Sequence, residues 1–250
     1  MTLARTFKLA LAGAAALALV ACDSETGDGA ADLAGEPIAE IPAPEGTSWS
    51  ETVTVTDRGG FLMGNPEAPI KLLEYGSLTC PGCAAFSAAA SEKITNDYVA
   101  SGRVSFEFRS FLIHGPLDLA LTRMISCGPV ENAIPLADQV WANLGAIQDR
   151  AYSDQAGLEA ALQLPEDQRF VVFAERAGLY DFFSARGVSE DQARTCLADW
   201  PSLQALADHS QSYSVDDGIR GTPTLLVNGR QLDESSWQSV EATLQRAGAR

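Results

Sequence analysis

The chain has 250 residues, 46% hydrophobic and only 20% charged, enough apolar material for one core of ordinary size and too much for a disordered protein. Its 33 Asp and Glu against 17 Lys and Arg leave a formal net charge of -16. So acidic a surface excludes partners held through a phosphate backbone, and nucleic acid is not an expected ligand.

At the start of the chain, Arg5 and Lys8 precede an apolar run from Leu9 to Ala21. The run is shorter than the roughly 20 residues of a membrane span and fits the core of an export signal over residues 1–21. Leu19-Val20-Ala21-Cys22 resembles the bacterial lipobox, which implies cleavage before Cys22 and lipid attachment to it. Asp23, directly after it, resembles an inner-membrane retention signal. The expected location is periplasm-facing, anchored to a bacterial membrane through Cys22. Residues 22–50 are rich in Gly, Ala, Pro and acidic residues and poor in large apolar ones, so a flexible linker is expected there, extended locally by Pro37, Pro42 and Pro44.

The folded domain is expected over residues 51–250. ETVTVTD alternates from Glu51 in the period-2 pattern of a strand that Gly59-Gly60 ends, and IKLLEYG after Pro69 is a second strand. The Ala-rich stretch from Cys80 to Ala100 predicts a helix starting at or near the first Cys, and VSFEFRSF from Val104 predicts a strand with Val104, Phe106 and Phe108 on one face. Residues 117–212 carry helical periods and almost no strand signal, with a capping box at Ser189 and Gln192. TPTLLVNGRQL then predicts a hairpin around Asn228-Gly229, followed by a closing helix. The expected order is β-β-α-β, a helical block, then β-β-α.

Cys80-Pro81-Gly82-Cys83 stands between a strand and a helix, where the helix end supplies partial positive charge and free N–H groups that favour a thiolate. Disulfide exchange needs an exposed attacking thiolate and a second thiol near enough to resolve the mixed disulfide. Cys80 fits the nucleophile and Cys83 the resolving thiol. Two alternatives compete: half of a zinc site, for which Cys127 and Cys196 are single and far apart, and a structural disulfide, which in so short a loop stabilises little. No metal or other cofactor is expected.

PEAPIKLLEYGSLTCPGC followed much later by GTPTLLVNG resembles the DsbA-like branch of the thioredoxin superfamily over residues 51–250. The resemblance implies an α/β thioredoxin fold with a helical insertion, and thiol–disulfide exchange on cysteine-containing exported proteins by a monomer that a membrane redox partner recycles. It also implies that Pro223 is cis and faces the CxxC, leaving the Thr222 backbone free for an extended substrate, and that Glu74 is a buried acid serving the second Cys. Burial would raise the pKa of that carboxyl, which suits proton exchange with a thiol. Where the best-known oxidants of the family carry His, this chain has Gly82, so a smaller depression of the Cys80 pKa and a less oxidising couple are expected.

Cys127 and Cys196 are expected to form a structural disulfide, since two leftover thiols of one subdomain pair in an oxidising compartment. His114 and His209 lie in no spacing that suggests metal binding or catalysis. Phe111, Trp141, Phe170, Phe173, Tyr180, Phe182 and Phe183 read as packing residues of the helical block, exposed ones being candidates for a peptide groove. Disulfide formation in exported proteins is the leading function. An isomerase or reductase, a periplasmic holdase and a copper-handling thiol module are the rivals.

Overall fold

Ile70–Gly76 (β3) runs through the middle of the sheet and is buried or half-buried on both faces, as a strand covered by helices on each side should be. It pairs in parallel with Val104–Ser110 (β4) across the helix Pro81–Lys93 (α1), and antiparallel with Thr224–Val227 (β5). Val53–Val55 (β1), Phe61–Met63 (β2) and Arg230–Gln231 (β6) complete six strands in the order β1-β2-β4-β3-β5-β6. The computed structural model describes residues 33–250, so the expected export signal, Cys22 and the first part of the linker lie outside the described residues.

The strand β2 was not expected after Gly59-Gly60. The glycine pair turns the chain instead of ending it: Gly59 takes φ +73° and the Thr56 N–H donates to Gly60 O at 2.9 Å, so β1 and β2 close a hairpin. At Asn228-Gly229 both residues take positive φ, the two-residue turn that matches strand twist. Asn228 also accepts from Lys71 N at 2.8 Å, tying that turn to the start of β3.

The second half of the expected linker is docked on the domain. Gly35 N donates to Arg246 O and Ile38 N to Gly248 O, capping carbonyls that the closing helix Trp237–Arg246 (α10) leaves open, and Ile41 N donates to Ser101 O. Leu33, Ile38 and Trp49 pack on the main core. Three large apolar residues in a polar stretch are enough when each finds a site and the backbone donors find carbonyls.

Eight helices fill the insertion: Pro116–Ile125 (α2), Ala133–Ala142 (α3), Leu144–Tyr152 (α4), Gln155–Ala161 (α5), Glu166–Arg176 (α6), Leu179–Ser184 (α7), Glu190–Ala198 (α8) and Trp200–Val215 (α9). Their buried faces continue the core of the sheet. Cys127, just past α2, is disulfide-bonded to Cys196 in α8 with Cα atoms 5.8 Å apart. On the far face of the sheet, Tyr75 meets Tyr213 of α9 edge to face at 5.1 Å.

The bridge closes a loop of about 70 residues, for which chain entropy gives on the order of 4 kcal/mol as an upper value. A Cys127→Ser/Cys196→Ser variant should lose about 2–4 kcal/mol of unfolding free energy in urea titration while keeping its far-UV circular dichroism.

Candidate active site

Cys80 occupies the N-cap of α1, and Pro81 in the first turn supplies a preset φ where no N–H is needed. The Cys83 N–H donates to the Cys80 sulfur at 3.4 Å, so that sulfur caps the helix and sits at the positive end of its dipole. Both cysteines are free thiols; Cys80 is 6% exposed and Cys83 fully buried. Across from them the Thr222–Pro223 bond is cis, and the Cys80 thiol reaches Thr222 O at 3.4 Å. A Cβ at Gly82 would stand 3.2 Å from Pro223 Cδ, so glycine lets the CPGC turn and the Pro223 loop meet.

The two thiols are driven apart in acidity. Cys80 is lowered to about 5, mainly by the hydrogen bond from the Cys83 thiol, with further help from Thr222 and the N–H groups of Cys83 and Gly82 and against the cost of burial. The Thr222 hydroxyl has no other partner. Cys83 is pushed up by donating to Cys80, by burial and by the Glu74 charge. Gly82 therefore does not leave Cys80 near its ordinary value: a thiol donor, a hydroxyl and a helix end suffice without an imidazole.

Glu74 shares its face of β3 with Ile70 and Leu72 and is only 2% exposed. Burial pushes its carboxyl up to about 8, helped by the nearby Asp138 and Cys80 charges and opposed by a hydrogen bond with Cys83. Its Oε1 has no hydrogen-bond partner. A Cβ at Gly76, two positions along on the same face, would lie 2.8 Å from that oxygen, so glycine keeps the carboxyl's space open.

Several residues of the insertion hold the turn before Cys80, and the sequence patterns did not single them out for this. Asp118 of α2, fully buried, accepts from Ser77 Oγ at 2.6 Å, Leu78 N at 3.1 Å and Ile113 N at 3.0 Å. Trp141 Nε1 donates to Ser77 O and Gln148 Nε2 to Thr79 O. His114, expected to be incidental, lies 2.8 Å from Thr79 Oγ1 through Nδ1, while His209 stacks on Tyr213. The one signal available was a lone carboxylate in the otherwise apolar run PLDLAL. Trp141, Phe170, Phe173, Tyr180 and Phe183 are buried, and Phe111 and Phe182 partly so. Because Cys127 and Cys196 are bonded to each other, they cannot complete a four-Cys zinc site with the CPGC pair.

A thiol lowered to about 5 in the fold and near 8.5 in the unfolded chain makes reduced protein bind fewer protons folded than unfolded. Its stabilisation is complete above about 8.5 and is lost as pH falls towards 5. Absorbance at 240 nm should show Cys80 titrating near 5. Thermal melts should show reduced protein losing its advantage over oxidised protein across that window. Thr222→Val, which removes the hydroxyl, should raise the midpoint by about one unit.

The thioredoxin family profile matches residues 56–246. A Rickettsia bellii protein that carries a protein-disulfide oxidoreductase name is 22% identical over 204 residues, which is 82% of this chain and 70% of that protein. Across the Rickettsia relatives the matched share of their length runs from 61% to 70%. A solved structure titled protein-disulfide isomerase from Novosphingobium aromaticivorans superposes with a TM-score of 0.68 at 23% identity, over 76% of this chain and 97% of that one. Wolbachia pipientis alpha-DsbA1 superposes with a TM-score of 0.60 at 17% identity, over 81% and 96%. With the family profile spanning both the CPGC turn and the cis-Pro223 loop, the chain belongs to the thioredoxin family.

Proposed function

We propose that this chain is a thiol–disulfide oxidoreductase that forms disulfides in exported proteins, with Cys80 as nucleophile, Cys83 as resolving thiol and Glu74 as the acid that serves Cys83. The inequality of the two thiols carries this reading. A Cys80 thiolate stable down to about pH 5 favours the reduced form, and whatever stabilises the reduced form makes the disulfide a stronger oxidant. A substrate thiolate attacks Cys80 Sγ, the Cys80–Cys83 bond breaks, and Cys83 leaves as a thiolate that takes the Glu74 proton. A second substrate thiolate attacks the substrate sulfur of the mixed disulfide, and Cys80 leaves as a stable thiolate. The substrate loses two electrons and the enzyme's disulfide gains them.

The partly buried Thr222 and Pro223, beside Cys80, are the proposed backbone contact for an extended substrate. The leader at residues 1–21 and the lipid site at Cys22 suit an anchored protein facing the periplasm, acting on cysteine-containing exported proteins as a monomer and recycled by a membrane redox partner. Among the described residues no helix is long and apolar enough to cross a membrane.

Equilibration with glutathione buffers should give a reduction potential near or above about -180 mV; a value near about -270 mV would replace the oxidant by a reductase or isomerase. Cys83→Ser should trap clients as mixed disulfides on Cys80, whereas a copper carrier would only lose metal affinity. Glu74 is raised to about 8 in the fold, so folding takes up a proton and stability falls as pH rises from about 4.5 to about 8. Glu74→Gln should therefore match the parent's Tm at pH 4.5, exceed it by several degrees at pH 8, and slow disulfide exchange on the order of 10²-fold.

A further inference from the structure

Glu74 cannot trade protons with solvent through the CPGC face, because the fully buried Cys83 stands between. Behind it lies a narrow crevice between α1, α3 and the sheet, walled by Met63, Phe86, Phe106 and Trp141 with Glu74 and Asp138 among its lining. About 10 Å³ of it is open to the centre of a water molecule, room for one. Met63, Ser91, Thr95, Ile134 and Asp138 also line an adjoining cleft of about 350 Å³ that opens outward past Glu92 and Gln139. Among the described residues Asp138 is the only titratable side chain common to both spaces.

Asp138 is held there by Ser87 of α1, whose hydroxyl donates to Oδ1 at 2.6 Å. Among the described residues no Lys, Arg or His lines either space: β3 contributes Glu74, α1 contributes Ser87, Ser91 and Glu92, β2 Met63, and α3 Asp138 and Gln139. Two carboxyls that face one another without a cation cannot both ionise cheaply, so each favours a proton on the other. The Asp138 charge is indeed the largest influence after burial in raising Glu74, and burial holds Asp138 itself at about 6, against the pull of Ser87.

We propose that Asp138 passes protons between solvent and Glu74 through this crevice, so that the helical insertion supplies the outer half of a two-carboxyl relay for Cys83. The inference rests on Glu74 serving as the acid for Cys83. When the disulfide opens, its electron pair goes to Cys83 Sγ, Glu74 gives that sulfur a proton, Asp138 replaces the Glu74 proton through one water, and solvent replaces the Asp138 proton. Reoxidation runs the same transfers outward. Asp138 touches no reacting sulfur and is a positioning residue for the proton.

The test is stopped-flow reduction of the oxidised full chain by dithiothreitol from pH 5 to 9, followed by tryptophan fluorescence. Asp138→Asn keeps an acceptor for Ser87 and removes the exchangeable proton. It should slow reduction about tenfold at pH 7 while the 240 nm titration of Cys80 stays in place. Glu74→Gln/Asp138→Asn should be no slower than Glu74→Gln alone, as two members of one relay require and an unrelated structural defect does not. Ser87→Ala, which keeps the carboxyl but removes the bond that lowers its pKa, should move the rate midpoint near 6 upward. Should Asp138→Asn not fold, this shift decides alone. A parental rate and profile in Asp138→Asn, or an unmoved midpoint in Ser87→Ala, overturns the relay while slow Glu74→Gln leaves the oxidoreductase reading standing. A parental rate in Glu74→Gln overturns the relay together with the role of Glu74 as the acid for Cys83, and leaves the exchange reading to the reduction potential and the Cys83→Ser trap.

Discussion

One hydrogen bond, from the Cys83 thiol to the Cys80 sulfur, sets the chemistry of this molecule, because it makes two chemically identical groups unequal. It stabilises negative charge on the sulfur at the helix end and keeps the proton on the sulfur inside. For that bond to persist, α1 must begin at Cys80, which Pro81 helps secure, and Cys83 must face inward one turn later. The interior must then tolerate a thiol that is sometimes a thiolate, and the Glu74 carboxyl beside it is the group we propose to allow this. The cost is a buried acid with an orphaned oxygen in the central strand.

The insertion does more than enlarge the core. The turn from Ser77 to Thr79 carries the reactive pair, and a free turn would let Cys80 drift from Thr222. Asp118, Trp141, Gln148 and His114 each bind a polar atom of that turn, and all four come from the segment between β4 and β5. The disulfide between Cys127 and Cys196 ties the end of α2 to α8 and so braces the helix that presents Asp118. Covalent and packing stability of the insertion is thereby converted into precision at the dithiol.

The framework was legible in the sequence where local chemistry decides structure. IKLLEYG is mostly apolar and short, as a buried strand is, Asn228-Gly229 accepts positive φ, and CPGC before an Ala-rich run favours a helix start. The cis peptide at Pro223 was implied by family resemblance, since X-Pro bonds are cis in only about 5–6% of cases. What stayed hidden depends on distance along the chain. Ser77 meets Asp118 across 41 positions and Ser87 meets Asp138 across 51, pairings no periodicity encodes. The strand β2 has three residues, too few to show alternation, and the docking of Gly35 and Ile38 depends on carbonyls at the other end of the chain.

Three buried or half-buried carboxyls lie around α1, and their partners separate their roles. Asp118 receives three donors, so its burial is offset by bonds to the charged form, and it is a fixed strut for the turn. Asp138 has one donor and an opening to solvent, which leaves it able to change charge near neutral pH without disturbing the fold. Glu74 has an unpartnered oxygen, no opening of its own and a thiol beside it, so its proton is held more tightly than that of Asp138. A carboxyl pinned by donors cannot carry protons, and one with no opening to solvent cannot be reached by them without a neighbour. The order of donors, from three to one to an orphaned oxygen, is therefore also the order from scaffold to surface exchange to the sulfur itself.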